Sequence, residues 1–120
     1  MMSYVDGFVI AVPTAKKDAY LEMARAVAPV FRKHGATSVV ECWGEDVPQG
    51  ELTSFPLAVK ATPDEGIVFS WIVWPDKATR DKGNAKAIAE LEEAGGMMPD
   101  DTPFDTRRMI MGGFDMVVDQ

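Results

Sequence analysis

Two rhythms of hydrophobic spacing alternate along the chain. Residues 4–12, YVDGFVIAV, are dense in β-branched and aromatic side chains and stop at Pro13, which predicts a first strand. From about Ala15 to His34 the period lengthens. Tyr20, Met23, Val27, Val30 and Phe31 recur at helical spacing, with Thr14 placed to cap the start. The closing RKHG sets basic groups against the negative end of the helix dipole and a glycine at the left-handed position. Pro29, inside this segment, predicts a bend or break.

The rest of the chain repeats the scheme. ATSVVECW reads as a second strand with GEDVPQGE as its exit turn, and LTSFPLAVKA is either a short helix or an irregular crossing segment. TPDEG turns into a third strand, IVFSWIVW, which Pro75 stops. Asp76 can cap a second helix that runs to about Glu93, before Gly95-Gly96. MMPDDTPFD reads as a loop and RRMIMGGFDMVV as the last strand, in which Gly112-Gly113 marks a bulge or a close approach.

VIAVPTAKKDA and WIVWPDKATRD share one grammar of strand, proline, capping residue and charged first helical turns. The halves therefore look like two βαβ units, which predicts an α+β fold of the ferredoxin-like, split-βαβ type with a four-stranded antiparallel sheet, one domain over residues 1–120. Both helices cover one face of such a sheet. In the third strand Ile67, Phe69, Trp71 and Val73 point one way while Val68, Ile72 and Trp74 point the other, interrupted by Ser70. A strand apolar on both sides needs a cover on its second face, and a homodimer joined sheet to sheet supplies one.

Composition narrows the partners. A net charge of −7 on 120 residues works against binding to phosphate backbones or anionic membranes, and the three basic pairs are too sparse to make a nucleic-acid face. No apolar run reaches membrane-spanning length, and the N-terminal apolar stretch, broken by Asp6, reads as strand and not as a leader. With one cysteine and one histidine there is no disulfide framework and no metal-ligand spacing, so a cytoplasmic protein without a metal is expected.

The stretch VVECWGEDVP, residues 39–48, holds the sole cysteine and three carboxylates. Strand alternation puts Glu41 on the face of Val39 and Trp43, and Cys42 on the face of Val40. A mid-strand cysteine reads as a small buried hydrophobe, Glu45-Asp46 as a solvated turn, and His34 as a helix-end group stabilised by the dipole. Carboxylates inside strands are costly to bury unless partnered. Asp6, Glu41 and Ser70 interrupt three strands, and Arg107-Arg108 opens the fourth. The expected strand order brings Asp6, Glu41, Ser70 and one arginine, Arg108, together on the face away from the helices, with Phe8 and Trp43 as walls. That cluster is either a ligand-orienting cavity or an ion pair sealing the dimer.

YVDGFVIAVP, KKDAY, VVECWGEDVP, AVKA, VFSWI, RD, PFD and RRMIMGGFD resemble, in order and spacing, the small bacterial YbaA-like family, over nearly the whole chain. The resemblance implies membership of the dimeric α/β-barrel superfamily, in which two ferredoxin-like subunits pack their sheets face to face. Relatives on that scaffold include cofactor-free monooxygenases, lactone isomerases, haem enzymes and ligand-binding regulators. The family has no established activity and hands over no catalytic residue. Two functions follow as expectations. One is a cofactor-independent oxygenase- or isomerase-like enzyme, with Asp6 or Glu41 as base and Arg108 steadying the anion. The other is a non-catalytic dimer that binds a metabolite or a protein. No cofactor is expected, since the single histidine sits at a helix end, unsuited to holding haem.

Overall fold

The computed structural model describes residues 3–95 and 102–120. Four strands, β1 (Tyr4–Pro13), β2 (Ser38–Trp43), β3 (Glu65–Trp74) and β4 (Ile110–Asp115), form one antiparallel sheet in the order β2-β3-β1-β4. The helices are α1 (Lys17–Lys33), the short α2 (Phe55–Ala58) and α3 (Lys77–Glu93). This is the ferredoxin-like arrangement expected from the sequence. The loop expected over residues 97–105 lies outside the described residues as far as residue 101.

Local chemistry explains most element boundaries. Asp76 caps α3 by accepting from the Thr79 amide at 2.7 Å, and Ser54 caps α2 in the same way from Leu57 at 3.1 Å. Thr14 does not cap α1. The chain first makes a 3₁₀ turn over Thr14–Lys16, in which the Thr14 amide is taken by the carbonyl of Asp64. Pro29 does not break α1, which continues to Lys33. At the far end His34 Nε2 and Lys33 Nζ meet Glu90 Oε1 of α3 at 2.9 and 2.8 Å. Helix α3 has no broad apolar stripe; it packs through small residues and Leu91. Gly83 and Ala87 are its buried positions, and a Cβ at Gly83 would fall on the His34 carbonyl and the Trp74 ring.

The register sorts side chains onto two faces. Tyr4, Asp6, Phe8, Ile10 and Val12 of β1 share the helix-covered face with Val68, Ser70, Ile72 and Trp74 of β3 and Val39, Glu41 and Trp43 of β2. Two clusters hold this side: one around Tyr4, Phe31, Ile72 and Trp74, the other around Ile10, Val12, Tyr20, Val68 and Phe104. The opposite face is closed only at one end, where Val59, next to α2, packs on Val9, Ala11 and Ile67. Beyond that patch Phe69, Ile110 and Phe114 are exposed, and so is Cys42, contrary to the expectation of a buried thiol. Cys42 pairs across from Phe69, so it belongs to this open apolar face.

Strand β4 begins later than expected, at Ile110, because Thr106–Arg108 forms a 3₁₀ turn capped by Asp105. Its pairing with β1 runs unbroken from Ile110 to Asp115, so the two glycines make no bulge. Gly113 is a close approach: a Cβ there would fall on the Tyr4 hydroxyl and crowd Arg80.

Candidate functional site

A cavity of about 480 Å³ lies between the sheet and helices α1 and α3. It exists because small side chains face one another. Ser70 projects from the sheet centre, Ala24 and Ala28 from α1, and Asn84 from α3. Phe8, which packs against both core clusters, forms part of the floor. Met23, Val27, Ile88 and Met109 complete a mainly apolar wall, with aromatic surface from Tyr20, Phe31 and Phe104.

Two polar pairs meet this space. The first crosses from α1 to the edge strand: Tyr20 donates its hydroxyl to Glu41 Oε1 at 2.6 Å. Burial raises the Glu41 pKa, and the Tyr20 hydrogen bond pulls the other way. Glu41 is exposed as a residue because β2 is an edge, so the shift marks a carboxylate with apolar walls on one side. Burial, then the hydrogen bond to Glu41, raises the Tyr20 pKa, so the phenol remains the donor. The second pair crosses from α3 to β1. Arg80 Nη2 and Nε donate to Asp6 Oδ1 at 2.8 and 3.2 Å, and Nε also reaches Oδ2 at 3.2 Å. Trp74 Nε1 donates to Oδ2 at 3.0 Å, Arg80 Nη1 reaches Asp81 at 3.0 Å, and the guanidinium lies 5.1 Å from the Tyr4 ring centroid.

The expected cluster is thus partly assembled, on the other face. Asp6, Glu41, Ser70 and Phe8 do share a face, but it is the one under the helices. The face follows from the alternation of β1: Asp6 has the parity of Tyr4, Ile10 and Val12, which are buried under the helices. Arg108 does not join them. It pairs with Glu65 at 2.7 Å and Asp105 at 3.2 Å and donates to the Lys60 carbonyl, beyond the opposite end of β1. The arginine in the cavity wall is Arg80, and it holds Asp6, while Glu41 has a tyrosine. The Arg108 guanidinium holds the Glu65 carboxyl down to about 2. Trp43 stands apart from the cavity lining, its ring over Gly66 and the Lys17 ammonium 4.9 Å from its centroid. Tyr20, Arg80 and Asn84 were not foreseen as site residues. Tyr20 stands in the apolar stripe of α1, and Arg80 in the charged first turns of α3.

The direction of the Glu41 shift has a testable consequence. A raised folded-state pKa contributes stability that is present below the ordinary value of 4.5 and lost as pH rises through the folded one. Glutamine keeps an acceptor for Tyr20 and does not titrate. Glu41→Gln is therefore expected to be as stable as the wild type or more so at neutral pH, with the curves drawing together toward acid. Melting curves across a pH series check this, and a neutral-pH loss that closes toward acid is the result that contradicts it.

Comparison with known proteins agrees with the fold. Residues 3–106 match the family described as a protein of unknown function, DUF1428. The chain belongs to that family. It is 51% identical to the uncharacterized protein YbaA of Escherichia coli K12, over 99% of this chain and 100% of the relative, and equally to YbaA of Shigella flexneri. Among solved structures it is similar to a dimeric ferredoxin-like protein from an uncultured marine organism. The TM-score is 0.69 at 8% identity, with 100% of each chain covered, a likeness of fold alone. Among the described residues no helix is long and apolar enough to cross a membrane, and no group of His, Cys, Asp and Glu could hold a metal ion.

Proposed function

We propose that the protein is a cytoplasmic homodimer, joined through its open sheet faces, whose subunits each take a mainly apolar small molecule into the cavity under the helices. The cavity itself carries this reading: its volume lies within the range of roughly 300–1,000 Å³ typical of small-molecule sites, and its walls are apolar with a few convergent polar groups. The catalytic form of the reading is a cofactor-independent, isomerase- or oxygenase-like enzyme. Glu41, steadied by Tyr20 and raised in proton affinity by its apolar walls, is the group suited to accept a proton from an activated substrate. Its alternative is a dimer that binds a metabolite or a protein without turnover. Asp6 is less suited to act as base, since Arg80 and Trp74 already occupy its oxygens.

Thermal shift across a library of small apolar and aromatic compounds tests the binding. A true ligand at a hundred times its dissociation constant stabilises the fold by about 2.7 kcal/mol. Ala24→Phe, which fills the cavity from α1, is expected to abolish that response in a chain that still folds. Absence of any response in the wild type contradicts the reading. For a ligand that is also turned over, Glu41→Gln is expected to lower the rate by roughly 10²–10⁴; binding without turnover leaves the non-catalytic alternative.

A further inference from the structure

We infer that the cavity is built for a protonated amine carried on an apolar body, with its ammonium against Glu41; this rests on the reading of the cavity as a small-molecule site. Three charged side chains line the space: Asp6, Glu41 and Arg80. Arg80 is committed, since its Nε and Nη2 hold Asp6 and its Nη1 holds Asp81. The lining therefore carries one more negative group than positive, and that group is Glu41. Among the described residues no lysine, arginine or histidine forms an ion pair with it. Residues 1–2 and 96–101 contain no basic side chain to supply one.

Tyr20 engages Oε1, and an ionised carboxyl has about four acceptor sites over its two oxygens, so capacity for a ligand donor remains. Glu41 has apolar walls on its cavity side and solvent on the other, so inside the cavity its charge has no partner of opposite sign. An anionic ligand would aggravate this lack, an alcohol would relieve it partly, and an ammonium supplies the missing charge. The aromatic rings of Phe8, Tyr20, Phe31 and Phe104 suit the same guest, because their faces attract cations while their area takes up its apolar body. In this arrangement Tyr20 is a positioning residue: it fixes the carboxyl that the ammonium meets.

Four probes of one shape test the charge preference by titration calorimetry at neutral pH: benzylamine, benzyl alcohol, toluene and benzoate. The expected order of affinity is benzylamine, then alcohol and toluene, then benzoate, with the amine ahead of toluene by about tenfold, as one exposed ion pair with cation–π support provides. Glu41→Gln is expected to erase the amine's advantage while toluene binding stays unchanged, and Tyr20→Phe to reduce that advantage. Toluene binding with no preference for the amine, or a preference that survives Glu41→Gln, overturns the inference and leaves the cavity reading standing. Failure of all four probes to bind the folded wild type overturns the inference, and silence across the compound library as well overturns the cavity reading with it.

Discussion

Asp6→Ala is expected to lower the unfolding free energy by about 3–4 kcal/mol, most of the stability of a marginal small domain. Asp6 is 7% exposed and receives donors from two elements, the guanidinium of Arg80 on α3 and the indole of Trp74 at the end of β3. Removing it leaves the indole without an acceptor and takes from Arg80 its Nε and Nη2 partner. Trp74 is fully buried, so its N–H has no water to turn to, and an unsatisfied buried donor costs about 1–3 kcal/mol. Arg80 keeps Asp81 and about a quarter of its surface, which places its share at the low end for a broken buried pair. Arg80→Ala is expected to cost less, because Asp6 retains Trp74. The double variant should lie well short of the sum, since each single change already breaks the same contact. Urea unfolding of the four proteins measures this cycle. Additive losses would mean that Asp6 and Arg80 act independently and that the ion pair does not tie α3 to the sheet.

The fold was legible because the long strands and α1 declared themselves by periodicity and α3 by its start. The start of α3 shows why: Pro75 stops the strand and Asp76 caps the helix through Thr79, so sequence and structure agree to the residue. The candidate site was legible in composition and misread in direction. Asp6, Glu41 and Ser70 stood out as polar breaks in apolar strands, and alternation correctly grouped them. Which face carries the helices is a different matter, because in β3 both faces are apolar and neither announces its cover. Charge pairing was less legible still. Arg108 lay close in sequence to β4, yet Asp105 caps its turn and Glu65 draws it to the far end of the sheet. Arg80 reaches Asp6 from 74 residues away. Gly113 makes room for that reach, and nothing in a run of two glycines says which side chain will occupy the space.

Phe69→Glu is expected to turn the proposed sheet-to-sheet dimer into monomers. The open face consists of three rows across the strands. Cys42, Phe69 and Ile110 are the open members of one, whose fourth, Val9, lies under Val59; Val40, Trp71, Gly7 and Gly112 form the next, and Val73, Val5 and Phe114 lie in the third. Phe114 covers the glycines from the side, with its ring 3.4 Å from where a Cβ on Gly112 would stand. Phe69 is 47% exposed although it packs edge-on against Phe55 and tilted against Trp71, and Phe114 is 60% exposed. Rings held in place by their neighbours lose little entropy on being covered, so this surface is prepared for a partner. A second copy presents the same surface, and a twofold contact then uses every residue twice. Glutamate at position 69 would enter that interface twice, as two like charges without partners, and each costs several kcal/mol. The dissociation constant should therefore rise at least about a thousandfold, equivalent to roughly 4 kcal/mol. Light scattering at micromolar concentration reads the change, and the circular dichroism of the variant should stay that of the folded chain because the side chain lies at the surface. Cys42, next to Phe69 in its row, gives a second reading: a thiol reagent should label it slowly in the wild type and fast in the variant. A monomeric wild type would refute the dimer, and a variant still dimeric with its thiol protected would place the contact elsewhere.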